Sequence, residues 1–104
     1  MILHLTLKKK WFEMIARGIK KEEYRELKDY WVKRVFEDGY PEFVKPFDIV
    51  RFKNGYAKDA PTMDVEFKGV SFGFGNVKWG AERRTEYIKI HLGEIKHISK
   101  LPGF

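Results

Sequence analysis

"RGIKKEEYREL", Arg17 to Leu27, decides how the chain is read. Lys20 to Glu23 are four charges in a row, and Arg25 and Glu26 add two more just after Tyr24. The stretch follows a glycine, Gly18, and then alternates. Glu22, Tyr24 and Glu26 share one face of a strand, and Glu23 and Arg25 the other. Charges on a strand prefer water, so one reading is a solvated edge strand that discourages sheet-to-sheet pairing. The other reading starts from Glu23 and Arg25 emerging on one face. A carboxylate and a guanidinium so placed form a charge-assisted pair. That pair either braces the sheet or offers two poles to a base edge and a phosphate.

Upstream, "ILHLTL" (Ile2 to Leu7) alternates Leu3, Leu5 and Leu7 against Ile2, His4 and Thr6, a strand with one strongly apolar face. "KKKWFEMIARG" changes period. Trp11, Phe12 and Ile15 form the stripe of a short amphipathic helix that Gly18 stops. Downstream, "LKDYWVKRVFEDG" reads as a second helix with Trp31, Val32, Val35 and Phe36 inward, Asp29 capping its start and Gly39 ending it. Lys28, Lys33 and Arg34 make its basic flank.

After the link "YPEFVKP" come three more strand patterns. "FDIVRF" (Phe47 to Phe52) is the first. "TMDVEFKGVSFGFG" alternates Met63, Val65 and Phe67 against Asp64, Glu66 and Lys68, with Gly69, Gly73 and Gly75 at expected bulges or bends. "TEYIKIHLGEI" alternates Ile88, Ile90 and Leu92 against Tyr87, Lys89 and His91, and the tail "KHISKLPGF" offers a short edge segment. Asn54-Gly55 marks a turn. With both helices early, a regular βαβ wind does not fit. The expectation is an α+β domain spanning residues 1–104: a small β-barrel of about five or six strands with two short helices packed beside it.

Composition sets limits. The chain has 104 residues, enough for one core. It is 43% apolar and 16% aromatic, which favours a folded protein over a disordered one. The formal charge of +6 and pI near 9.5 favour anionic partners, nucleic acid above all. The absence of cysteine excludes disulfides, thiolate nucleophiles and cysteine-based zinc sites, and fits a reducing cytoplasm. The N-terminal apolar run precedes its basic run, the wrong order for a secretory signal, and is too short to span a bilayer.

The spacing Gly18-x-Lys20-x-x-Glu23-x-Arg25, placed after a first strand and a short helix, resembles the signature of the ASCH domain, a branch of the PUA-like superfamily. The resemblance extends to "FDIVRFKNGY" and "YIKIHLGEI" and covers most of the chain. It implies a PUA-like pseudo-barrel with a cleft lined by Lys20, Glu23 and Arg25, and RNA or a nucleotide as ligand. Lys20 would meet an anion, Arg25 would present its fork to phosphate or a purine edge, and Glu23 would accept from an exocyclic amine or orient Arg25. Some family members hydrolyse an N-acetylated cytidine with a lysine, a threonine and a distant glutamate, and others cleave RNA. Lys20 falls on the lysine, but Glu23 stands where the threonine would be. Glu66, Glu86 and Glu94 are all open as the distant glutamate. In an enzyme, Glu23 would serve as general base with Lys20 stabilising charge.

Three further features complete the reading. "VRFKNGY" places Arg51, Lys53 and Tyr56 around a turn, a basic and aromatic lip for the cleft or an ordinary hairpin loop. Trp79, in the glycine-flanked loop "GNVKWGAERR", is either a plug over the core, the favoured reading, or a stacking platform. His4, His91 and His97 lack metal-ligand spacing, so no metal site is expected, although His4 and His91 could be neighbours across a sheet. "SFGFGN" has no following P-loop lysine, and the sequence calls for no cofactor. Beside the binding module stand two alternatives, a hydrolase at the same cleft and a docking module for an acidic protein.

Overall fold

The Leu3/Leu5/Leu7 alternation becomes strand β1 (Ile2–Leu7) in the computed structural model, which describes residues 1–99. Helix α1 (Lys9–Ala16) follows and buries Phe12 and Ile15. It ends where Gly18 takes φ +76, a left-handed conformation that glycine adopts without a Cβ penalty. The amides of Ile19 and Lys20 both return to the Met14 carbonyl, at 3.0 and 3.1 Å. This tight wrap delivers the chain into β2 (Glu22–Glu26).

Helix α2 (Asp29–Val35) buries Val35 and, just beyond it, Phe36. Asp29 does not cap it: Lys28 holds the cap position with no side-chain hydrogen bond, and Asp29 is the first helical residue, where its charge meets the helix dipole. A single 3-10 turn (Glu37–Gly39) then reverses the chain. Strand β3 (Ile49–Asn54) starts and ends two residues later than "FDIVRF". β4 (Thr62–Phe74) and β5 (Glu86–Ile98) are 13 residues each and form the longest pairing in the molecule. Their register slips at Asp64/Val65, Val65/Phe67 and Phe67/Gly69. Gly69, at φ +119, sits at the last slip, as its place in the alternation suggested. The proposed tail segment lies partly outside the described residues; its first part, through Ile98, belongs to β5.

The sheet has five strands in the order β1-β3-β4-β5-β2. β1 and β3 run parallel and the other pairs antiparallel. The expected closure is not present: β1 and β2 are edges and no ladder joins them. The fold is a mixed open sheet with two helices. The reason lies in the inward face of β2. Glu23 stands opposite Ile90 and Arg25 opposite Ile88, so two charges occupy positions that every other strand fills with Leu, Val, Ile, Phe or Met. Arg25 Nη2 donates to the Thr6 carbonyl of β1 at 3.1 Å, so a side chain spans the gap between the edges.

The core comprises Leu3, Leu5 and Leu7 of β1, Val50 and Phe52 of β3, Met63 and Val65 of β4, and Ile88, Ile90 and Leu92 of β5, covered by Phe12, Ile15, Val35 and Phe36. Phe52 is fully buried in the strand that joins the parallel and antiparallel pairs. Phe52→Ala is expected to cost about 3–5 kcal/mol through lost transfer energy and a residual cavity. Urea unfolding checks this: the midpoint falls while the slope is unchanged.

Candidate functional site

The charged stretch divides as its alternation predicts. Glu23 turns inward and is 6% exposed, and Lys20, at the end of the glycine wrap, is 2% exposed. Glu23 holds both cations of the motif. Its Oε1 is 3.2 Å from Lys20 Nζ and its Oε2 2.6 Å from Arg25 Nη2. Two positive charges, one buried and one partly buried, flank one carboxylate, so each carboxylate oxygen is used.

Lys20 is enclosed on its remaining sides. Its ammonium donates to the Trp79 carbonyl and lies 5.2 Å from the Trp11 ring centroid and 4.8 Å from that of Tyr24. Burial pushes its pKa down from the usual lysine value, and the adjacent Glu23 carboxylate opposes that shift. The Trp79 carbonyl is set by the 3-10 turn Val77–Trp79 and by Gly80, whose φ is +106. A Cβ at Gly80 would come 3.0 Å from the Trp11 ring, so glycine is needed for this loop to close over the lysine. The Trp79 ring is only half-buried and is not among the side chains packed on the core. Its backbone, rather than the ring expected to plug the core, makes the important contact.

Arg25 is the member of the trio that reaches the surface. Its guanidinium lies 4.7 Å above the Trp31 ring. Nη2 makes both hydrogen bonds, to Glu23 and Thr6, while Nε is buried without a partner. Nη1 makes no hydrogen bond among the described residues and, unlike Nε, is not fully buried. A cleft of about 560 Å³ opens beside it, lined by Tyr24, Arg25, Glu26, Trp31, Glu82, Thr85 and Tyr87. A second cleft of about 330 Å³ lies on its other side, where Tyr30, Arg34 and Tyr56 join His4 and Thr6. Arg25 and Trp31 belong to both and form the wall between them.

The structure separates the six residues expected at the site. Lys20, Glu23 and Arg25 are joined in one network, but Lys20 and Glu23 support Arg25 from beneath and line neither cleft. Tyr56 is 88% exposed and meets Arg25 across the second cleft. Arg51 and Lys53 lie farther along, in an adjoining hollow of about 240 Å³ with His4, Thr6 and Arg34. Arg51 is held there by two hydrogen bonds to Asp64, at 2.7 and 2.9 Å. None of Glu66, Glu86 and Glu94 lines these clefts, whereas Glu26 and Glu82 line the largest.

The sequence places Trp31 in the core, Arg34 on a basic flank and Tyr87 in a strand alternation, and it marks neither these nor Tyr30, Glu82 and Thr85 as site residues. One signal was available. Arg34 follows Tyr30 by four residues and Trp31 by three, the helical neighbour spacings, and it does lie over both rings, 5.3 and 5.7 Å from their centroids.

The outer face of β2 carries a different network. Tyr24 donates to Glu22 Oε1 at 2.8 Å and accepts from the Asn76 amide at 2.9 Å. Glu22 Oε2 is 3.2 Å from His91 Nδ1, and His91 Nε2 is 2.7 Å from Ser71 Oγ. These bonds lace β4, β5 and β2 together, and Ser71, His91 and Glu22 line none of the clefts above. His4 and His91 are not neighbours, because β3 and β4 stand between their strands. Among the described residues no cluster of three or more His, Asp or Glu is arranged to hold a metal, and no helix is long and apolar enough to cross a membrane. No family model, no curated protein and no solved structure matches the chain.

Two predictions follow from these networks. Glu23→Gln strips the shared counter-charge from Lys20 and Arg25 and is expected to cost about 3–5 kcal/mol. Replacing the whole trio (Lys20→Met, Glu23→Leu, Arg25→Met) costs less than that single change, because no buried charge is left unpaired. Denaturant unfolding of the two variants compares them directly. Separately, burial, with the Glu22 carboxylate alongside, pushes the Tyr24 phenol up to about 12 despite the opposing Asn76 amide. A raised folded-state pKa means the contribution is whole below the unfolded value near 10 and is lost as pH rises through about 12. Between about pH 9 and pH 11 the wild type should therefore lose more stability than Tyr24→Phe, measured by urea unfolding at each pH.

Proposed function

We propose that the protein is an RNA- or nucleotide-binding module of the ASCH type, that its open five-stranded sheet is a variant of the PUA-like pseudo-barrel, and that it works in the cytoplasm. One observation carries the binding reading. The Arg25 guanidinium is anchored on one edge by Glu23 and Thr6, is stacked on Trp31, and holds Nη1, not fully buried, between two clefts. A planar fork held in this way loses little freedom on binding and suits a phosphate oxygen or the acceptor edge of a base. The walls supply aromatic surface from Tyr24, Tyr87 and Trp31 and hydrogen-bonding groups from Thr85, Glu26 and Glu82, the mixture that a nucleobase needs. The chain's charge of +6 adds the attraction expected of a nucleic-acid binder.

Binding is preferred to hydrolysis of an N-acylated cytidine or cleavage of RNA. Either reaction would need Lys20 or Glu23 against the reacting bond, and both are buried, mutually paired and outside the cleft lining. In this reading both are positioning residues for Arg25.

The test is an anisotropy titration of a fluorescent mixed-sequence single-stranded RNA at about 50 and 200 mM salt. Arg25→Ala should weaken binding about tenfold or more, corresponding to about 1.5–3 kcal/mol for a lost charge-assisted hydrogen bond. Lys33→Ala, at an exposed position on α2, should leave binding close to wild type. Equal behaviour of the two variants would remove the cleft from the reading. An acidic protein recovered from a nuclease-treated pull-down, with no RNA binding, would favour protein docking instead.

A further inference from the structure

The clefts beside Arg25 differ in charge. The 560 Å³ cleft has two carboxylates, Glu26 and Glu82, against the one guanidinium of Arg25. The 330 Å³ cleft and the 240 Å³ hollow have no acidic lining residue and share His4, Thr6 and Arg34. Shared residues also link them in sequence. Arg25 and Trp31 join the first to the second, and Arg34, His4 and Thr6 join the second to the third. The three make one track across α2, the outer face of β1 and the end of β3.

The cations along this track are not equivalent. Arg51 is neutralised by its two bonds to Asp64. Among the described residues Arg34 and Lys53 are in no ion pair. Two tyrosines stand beside them with their rings largely in water, Tyr30 at 57% and Tyr56 at 88% exposure. Exposed aromatic rings next to unpaired cations form the surface on which single-stranded bases stack while phosphates meet the charges.

We infer that the ligand is a single-stranded oligonucleotide and not a free nucleoside. One base occupies the carboxylate-bearing cleft between Trp31 and Tyr87, and the flanking phosphate and next nucleotide lie over Arg34, Lys53 and Tyr56. The sign of the charge sets this orientation. Glu26 and Glu82 repel a phosphate and accept from the amino and imino groups of a base, whereas the basic groove attracts the phosphate. The inference rests on the proposed binding at Arg25 and adds a second subsite and the class of ligand.

The test uses the intact chain, isotopically labelled for NMR, titrated with each of the four ribonucleosides and with a mixed-sequence tetraribonucleotide. Nucleosides should move resonances of Thr85 and Tyr87 and leave those of Arg34 and Tyr56 in place, and the tetranucleotide should move both sets. Arg34→Ala/Lys53→Ala should weaken the tetranucleotide about tenfold or more and reduce the dependence of log K on log salt by about 1.4, that is about 0.7 for each of two lost phosphate contacts. The same variant should bind nucleosides as the wild type does. Both side chains lie outside the core, so an unchanged thermal midpoint will show that the variant is folded; Tyr56→Ala, at an exposed position, gives an independent reading of the groove. Unaltered tetranucleotide affinity and salt slope in both variants would overturn the second subsite while leaving binding at Arg25 intact. So would nucleosides that bind as tightly as the tetranucleotide. If neither probe binds and Arg25→Ala changes nothing, the binding reading fails and takes this inference with it.

Discussion

A single carboxylate, that of Glu23, lies between two cations where the apolar face of the sheet should continue. Lys20 reaches it from the turn after α1 and Arg25 from β2 itself. Through these two cations the carboxylate is tied to the Thr6 carbonyl of β1, the Trp79 carbonyl, and the rings of Trp11, Tyr24 and Trp31. Placing three charges in a protein interior is expensive unless each is matched, and removing one partner costs more than the network as a whole contributes. The network therefore acts less as glue than as a specification. It fixes the gap between the edges β1 and β2 at the span of one arginine side chain, where direct pairing would have closed the sheet.

That constraint gives Arg25 its character. An arginine on an exposed strand samples many rotamers and loses that freedom whenever it binds. Here Glu23 and Thr6 hold one nitrogen, and Trp31 supports the plane. The outward edge of the fork is thus pre-organised by groups that never touch a ligand. The same network explains why the motif's lysine is withdrawn. Its ammonium is satisfied by a carboxylate, a carbonyl and two aromatic faces, and little of it remains for solvent. A motif of three charged residues so resolves into two supports and one working surface.

The other basic residues are sorted by their neighbours and not by their number. Arg51 spends its fork on Asp64 across the β3–β4 ladder, as directly opposed residues of an antiparallel pair do. Arg34 lies over the Tyr30 and Trp31 rings, where its charge stays available. Net charge alone treats these two arginines as equal, yet only one contributes an open positive field to the groove.

Much of the architecture was legible along the chain, because strand and helix periods depend on nearest neighbours. The Leu3/Leu5/Leu7 and Ile88/Ile90/Leu92 alternations, the Phe12/Ile15 stripe and the stop at Gly18 all reappear in the fold. The placement of Glu23 and Arg25 on a common face was legible for the same reason, since residues two apart on a strand point the same way. Closure of the sheet was not. It depends on whether two edges distant in sequence pair, and the charges on β2 hold them apart. Nor could the sequence show that Lys20 and Glu23 lie beneath the cleft, that Arg51 is neutralised, or that Trp31 turns toward Arg25. Those outcomes follow from which strands become neighbours and which side chains then share a space, and only the tertiary structure decides that.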